Sequence, residues 1–397
     1  MPCPLSFISV VFFLVLSGSV MMTVASGASS DGSTNIGCLF SDIDGTLVHY
    51  YESEDDAPGP PAVLALPASS TGRKGRISVE TLDLASRIRL KGTRLVLVSG
   101  TRYSTFVKRL PFLPRADAYV IENGGRIFYP RDAVPRDSAG APGEGPEACS
   151  DAPATGMGSD STGGSELESA VGDPAITAHA ASALVEDTSW RARLESAAGP
   201  ASQDSLPPEE RKGALWDVYR QAVAAGLEVD TNTYYTMLRV KAKGGSEDER
   251  ALQALITSLP SGLRVVTNLG MVDICPVASG KHNAAAYLAV ERLGVPLTRC
   301  ASMGDDDNDL DLAKIMGKGA FITAFSSGSV EAAVRANPDR FRVASEAGVR
   351  ASEEMLRLIP PTPDDSLLRA SSSASWSALP VMPLANRSIR CRAKRPT

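Results

Sequence analysis

The stretch Ile36–Thr46, "IGCLFSDIDGT", decides how the rest of the chain is read. Its apolar run is too short to make a helix and ends in a carboxylate. It therefore reads as a strand buried on both faces, with its polar end emerging at a sheet edge. Asp42 and Asp44 follow at i and i+2, around a turn that Gly45 permits. Two carboxylates so placed can divide labour, one attacking an electrophile while the other protonates a leaving group. An Asp-rich turn after a strand is more often only a turn, so the chemistry must be sought in the company it keeps.

The flanking sequence alternates strands with helices. Ser78 opens the helix "SVETLDLASRIRLKG", which Gly92 closes, and "TRLVLVSG" is the next buried strand. "YSTFVKRL" reads as a short helix, and "DAYVIENG" as a strand with its turn. The polar, Pro-rich stretch Tyr51–Gly75 reads as a flexible excursion. Arg131–Ala181 is dominated by Gly, Ala, Pro, Ser and Asp without periodicity, and reads as a disordered insertion. The segment from "ALVEDTSWRARLES" to Gly270 then mixes helices with extended runs, which suits a small separate α+β domain. From Lys281 the alternation resumes: the helix "KHNAAAYLAVERL", the strand "RCASMG", the helix "NDLDLAKIM" and the strand "GAFITAF". Such alternation implies a parallel sheet with right-handed crossovers, whose ligands bind beyond the carboxyl ends of the strands.

Three further polar clusters fall at that edge. Ser99, Gly100 and Arg102 of "LVSGTR" could hold phosphate oxygens through a hydroxyl, backbone N–H groups and a guanidinium; a plain helix cap explains them equally well. Lys281 opens a helix, where a cation opposes the helix dipole unless anions face it, although a solvated lysine is the bland alternative. "SGKH" is not a P-loop, because the upstream Gly and the following Ser or Thr are missing. "GDDDNDLD", Gly304–Asp311, crowds acids that repel one another unless a cation or lysine offsets them. Oxygen-rich clusters suit magnesium, and carboxylates also suit a helix N-terminus. A calcium EF-hand is excluded: counting from Asp305, position 6 is Leu310 and position 12 is Met316.

Composition narrows the field. The chain has 397 residues, 43% hydrophobic and 22% charged, which are globular proportions. A net charge of -6 argues against a nucleic-acid binder that works by neutralising phosphates. Six scattered cysteines form no CxxC pair, so neither a zinc site nor a disulfide framework is expected. Leu5–Ala25 is an apolar run followed by small residues, and reads as a secretory signal cleaved near Ser26 or Gly27. Its length would also serve an uncleaved membrane anchor, and its uncharged start leaves another kind of targeting presequence open. Residues from Pro360 read as a disordered basic tail, with one glycosylation acceptor at Asn386.

In order, "DxDGT…SGTR…GK…GDxxND" resembles the haloacid dehalogenase superfamily, over about Ile36–Gly125 and Val272–Phe325. Ser99 lies 57 positions after Asp42, whereas Lys281 lies 182 after Ser99, so an accessory cap belongs between the second and third motifs, the C2 arrangement. "AYVIENGG" and "VDICPVASGKHNAAAYL" look like the type IIB subgroup, which includes sucrose-phosphatase-like and other sugar-phosphate phosphatases. His282 departs from the pattern, which usually has Gly after the Lys.

The resemblance implies an α/β fold, a doubly wound Rossmann-like core with an inserted α+β cap. The core would comprise residues 35–125 and 272–359, the cap 126–271 with the insertion 131–181 inside it; 1–27 would be the signal or anchor and 360–397 the tail. It implies a magnesium-dependent phosphatase in which Asp42 takes the phosphoryl group and Asp44 protonates the leaving alcohol, then deprotonates water. Ser99, Gly100, Arg102 and Lys281 would bind phosphate. The metal ligands would come from Asp42, the Asp44 carbonyl and Asp305, with Asn308 and Asp309 completing the shell or positioning Lys281. The expected partner is a small phosphorylated metabolite, a sugar phosphate in the first instance, met in the secretory pathway. A phosphomannomutase-like transferase, or a non-catalytic binder on the same fold, would use the same scaffold.

Overall fold

The computed structural model describes residues 35–51, 62–69, 72–133, 173–241, 245–268 and 271–360. The apolar run Leu5–Ala25, residues 134–172 of the insertion and residues 361–397 of the tail lie outside the described residues. Among the described residues, no helix is long and apolar enough to cross a membrane.

Fifteen strands are described: β1 (Cys38–Asp42), β2 (His49–Tyr50), β3 (Val63–Ala65), β4 (Gly75–Ser78), β5 (Arg94–Val98), β6 (Ala118–Ile121), β7 (Arg126–Pro130), β8 (Leu184–Glu186), β9 (Glu228–Asp230), β10 (Leu238–Lys241), β11 (Leu263–Asn268), β12 (Met271–Pro276), β13 (Cys300–Gly304), β14 (Ala320–Ile322) and β15 (Phe341–Val343). Eight of them form one sheet, in the order β15-β14-β13-β1-β5-β6-β7-β8. Pairing is parallel from β15 to β6, and β7 is antiparallel to both neighbours. The first half of the chain lays strands on one side of β1 and the second half on the other. The end of β1 is therefore the topological switch point, where open α/β sheets bind ligands.

Period-two alternation sends each strand's side chains to opposite faces, and both faces are buried. Leu39, Leu95, Leu97, Ile121 and Met303 pack on one side, under the helix Val79–Leu90. Cys38, Phe40, Val96, Val98, Val120 and Cys300 pack on the other, against Trp190 and the helix Lys281–Tyr287. Cys38 and Cys300 are thus small core residues with free thiols, as their apolar surroundings in sequence suggest. Ser78 caps its helix as expected, its Oγ accepting from the Thr81 N–H at 2.9 Å.

The cap is a four-stranded antiparallel sheet, β11-β12-β10-β9. The helices Ala214–Ala224 and Ser246–Thr257 cover it through Leu215, Trp216, Val218, Tyr219 and Leu255. Its limits differ from those expected. β7 and β8 extend the core sheet, and Trp190 and Leu194 belong to the core's apolar cluster, so the cap begins near residue 195 rather than 126. β12 pairs within the cap, so the core resumes near Lys281 rather than at 272. Part of the insertion is also ordered: Pro174–Ser182 is a helix whose first turn is capped by Asp173. The Tyr51–Gly75 excursion is corrected too. Its described parts include β3, which pairs with β4, and β4 also pairs with β2, giving a small antiparallel flap beside the end of β1.

Candidate active site

Three core strands end side by side. β1 delivers Asp42, β5 leads into Ser99 and β13 leads into Asp305. The fourth cluster arrives from the cap side, because Lys281 opens the helix that follows β12. The four clusters meet. Lys281 Nζ donates to Asp42 Oδ1 at 2.6 Å, Asp309 Oδ1 at 2.7 Å and Asn308 Oδ1 at 3.0 Å. Lys281 is 3% exposed, so these bonds are charge-assisted and nearly dry. Burial opposes its charge, but Asp309 and Asp42 outweigh that and hold it well above the usual lysine range. The dipole-opposed lysine therefore has its anions.

Asp305 is fixed by the Thr46 hydroxyl, 2.8 Å from its Oδ1. Gly45, at φ +88°, is required here: a Cβ would lie 2.3 Å from Asp305 Oδ2. Burial, Asp309 and Asp306 push the Asp305 carboxyl up to about 7, against the pull of Thr46 and Lys281. Burial also lifts the Asp42 carboxyl; Lys281 pulls it down, and Asp309 and Asp305 raise it further. The cluster thus holds three buried carboxylates against one lysine.

This donor set fits a divalent cation. Oxygens of Asp42, Asp305 and Asp309 lie within 4.8 Å of one another, and hard oxygen ligands with excess negative charge suit magnesium. Asp309 is already engaged, giving Oδ1 to Lys281 and Oδ2 to the Asp305 and Asp306 N–H groups. Asn308 is similarly occupied, between Lys281 and Asn123. Asp42 and Asp305 each have Oδ1 in a hydrogen bond, with Oδ2 outside that pairing. They are the carboxylates best able to meet a cation.

Ser99 is 2% exposed; its Oγ accepts from the Thr101 N–H at 3.0 Å and lies 3.4 Å from Asp44 Oδ2. Gly100 is buried in the same turn. Arg102 reaches towards the cap. Its guanidinium is paired with Asp230 of the cap at 2.5 Å, bonds the Asn232 carbonyl at 3.0 Å and stacks on Tyr234. It joins core to cap.

Four neighbours of the site were not identified from sequence. Arg109 and Tyr50 both bind Asp44 Oδ1. Glu122 and Asn123 hold the turn after β6, each at φ +52°, a conformation non-glycine residues adopt at a cost. Glu122 is fully buried and accepts from the Tyr235 and Thr236 N–H groups of the cap at 2.9 and 2.8 Å. Asn123 reaches Asp273, which is paired with Arg239. The one visible sign was "ENGG", where only the Asn and the glycines advertise a turn. Tyr234 and Arg239, exposed in neither case, are cap structure.

No protein-family model matches the sequence, and no curated protein matches it. Solved structures similar to it include the sucrose-phosphatase of Synechocystis, in complex with sucrose and phosphate, at 14% identity, 85% of this chain, 98% of the other and TM-score 0.44. A haloalkanoate-superfamily phosphatase of Bacteroides thetaiotaomicron is 16% identical, with 84% and 98% covered and TM-score 0.42. A subclass IIB sugar phosphatase of the same superfamily is 12% identical, with 81% and 97% covered and TM-score 0.43. By its own strand order, its cap between the second and third site segments and the meeting of all four, the chain has the haloacid dehalogenase-like fold with a type II cap.

Proposed function

We propose that the protein is a magnesium-dependent phosphatase that hydrolyses a small phosphate monoester, a sugar phosphate in the first instance, through a phosphorylated Asp42. The observation that carries this reading is the 2.6 Å bond from buried Lys281 to Asp42, at the switch point of the sheet and within reach of Asp305. Phosphoryl transfer asks little of a protein beyond positioning and charge neutralisation, and this site supplies both.

In the first step an Asp42 carboxylate oxygen bonds to phosphorus as the bond from phosphorus to the alcohol oxygen breaks. Asp44 gives its proton to that departing oxygen. In the second step Asp44 takes a proton from water, the water oxygen bonds to phosphorus, and the bond to Asp42 breaks, releasing phosphate. Lys281, held above the usual lysine range by Asp309 and Asp42, offsets the charge on Asp42. Ser99 and the turn around Gly100 line the approach. Magnesium held by Asp42 and Asp305, with the Asp44 carbonyl, would supply the positive charge that lets two anions meet.

The cap, closing over a core that sees only phosphate, would select the alcohol. The apolar N-terminal run directs the proposal to the secretory pathway. The test is a phosphatase screen of the full-length protein against a panel of sugar phosphates, with magnesium and with a chelator. Phosphate release from at least one sugar phosphate, lost on chelation and restored by magnesium, is expected. Conversion of a hexose 1-phosphate to its 6-phosphate without free phosphate would move the assignment to a mutase. Full activity after exhaustive chelation would end the metal assignment.

A further inference from the structure

We infer that Arg109 and Tyr50 are positioning residues for the proton-transferring carboxylate: they lock Asp44 Oδ1 so that Oδ2 is the oxygen that exchanges the proton. The inference rests on the proposed phosphatase reading and adds two residues and one atom to it.

Arg109 is 3% exposed, and its guanidinium is tied on every side. Nη1 donates to Asp44 Oδ1 at 2.7 Å and to the Tyr50 hydroxyl at 2.7 Å. Nε donates to the Pro67 carbonyl at 3.1 Å and Nη2 to the Arg73 carbonyl at 3.4 Å, both supplied by the flap. The Tyr50 hydroxyl also donates to Asp44 Oδ1. Its ring is held under the Arg73 guanidinium, 4.4 Å from the centroid. Gly75 lets β4 run close against the chain leading into β2, since a Cβ there would lie 2.4 Å from Val48 Cγ1.

Two donors on Oδ1 leave no room on that oxygen for a departing alcohol or an incoming water. Oδ2 points the other way, with the Ser99 hydroxyl 3.4 Å from it. The Ser99 side is where the phosphate-binding turn lies, so proton transfer through Oδ2 needs no rotation of the carboxylate. A planar guanidinium with several fixed bonds can hold such an orientation, whereas a flexible ammonium would not. A carboxylate held in one orientation is an effective proton donor because the geometry is set before the reaction.

The test uses leaving-group dependence. A poor leaving group needs the proton, and a good one departs without it, so a fault in Asp44 orientation must be selective. The full-length protein and its Tyr50→Phe, Arg109→Lys, Arg109→Met and Asp44→Asn variants would be assayed with dinitrophenyl, p-nitrophenyl and phenyl phosphate in magnesium. kcat/KM is the readout, since it covers the steps up to alcohol release. We expect Tyr50→Phe and Arg109→Met to lose about 30-fold or more with phenyl phosphate but only about threefold with dinitrophenyl phosphate, approaching the Asp44→Asn pattern, as partial loss of general acid catalysis would give. Arg109→Lys should resemble Arg109→Met.

An equal loss with all three esters, through KM, would make Arg109 a phosphate ligand and overturn the inference. Wild-type behaviour of both Tyr50→Phe and Arg109→Met would overturn it as well. If Arg109→Met fails to fold, Tyr50→Phe, which loses one hydroxyl only, decides alone. A wild-type protein inactive on all three esters and on the sugar phosphates would sink the phosphatase reading itself, a result distinct from the others, and the positioning role would fall with it.

Discussion

An Asp42→Asn protein is expected to lose phosphatase turnover by about four orders of magnitude or more while remaining fully folded. Removing a nucleophile that acts as one unit with its partners costs losses of this size. The fold should not suffer, for two reasons. Asn keeps the shape and an oxygen for the 2.6 Å bond from Lys281. It also removes one of three crowded negative charges, on a group whose carboxyl is already lifted by burial and by Asp309 and Asp305. The melting temperature in the absence of magnesium should therefore stay level or rise. Measuring kcat and the melting curve on one preparation checks both halves. Activity within tenfold of wild type would remove Asp42 from its assigned role.

A Lys281→Met protein should behave in the opposite way. Lys281 bonds Asp42, Asn308 and Asp309 at 2% side-chain exposure, so its loss strands buried carboxylates. Breaking a buried ion pair from one side costs roughly 3–5 kcal/mol. The deficit should depend on pH in a defined direction. Lys281 is the pull that lowers the Asp42 carboxyl, so without it the folded-state value rises further above the unfolded one. A carboxyl raised on folding destabilises once the unfolded state ionises, and the penalty grows with pH until the folded group ionises too. The variant should therefore lose most against wild type at neutral pH and recover part of the difference as pH falls towards 4. Turnover should fall by about 100-fold or more as well, since a charge aimed at the reacting oxygens is lost. Denaturant melts at several pH values give the test, and a pH-independent difference below about 1 kcal/mol, the range of an exposed pair, would contradict the burial argument.

The core was legible because its signals are local. Apolar runs such as Leu95–Val98 and the polar residues that follow them are adjacent in sequence, and β1, β5 and β13 follow directly from them. The site was legible as a set because each of its clusters sits at a strand or helix end. What stayed hidden depends on distant pairing. The flap strands are two to four residues long, too short for periodicity to show, and they form only because β2, β3 and β4 find one another. Arg109 lies in the last turn of its helix, where a basic residue ordinarily just complements the helix dipole. Its partner Asp44 is 65 positions away. The pairing of Arg102 was hidden for the same reason: its partner Asp230 lies 128 positions on, in the cap. The cap's limits were misplaced because β7, β8 and β12 look alike in sequence whichever sheet they join.

The most direct measurement follows the covalent step. With p-nitrophenyl phosphate the alcohol leaves without help, but release of phosphate from Asp42 still needs a base. An Asp44→Asn protein mixed with radiolabelled p-nitrophenyl phosphate and magnesium, quenched in acid and digested, should carry hydroxylamine-sensitive label on the peptide containing Asp42. Substrate turnover with no label on that peptide, or label at another residue, would contradict the account.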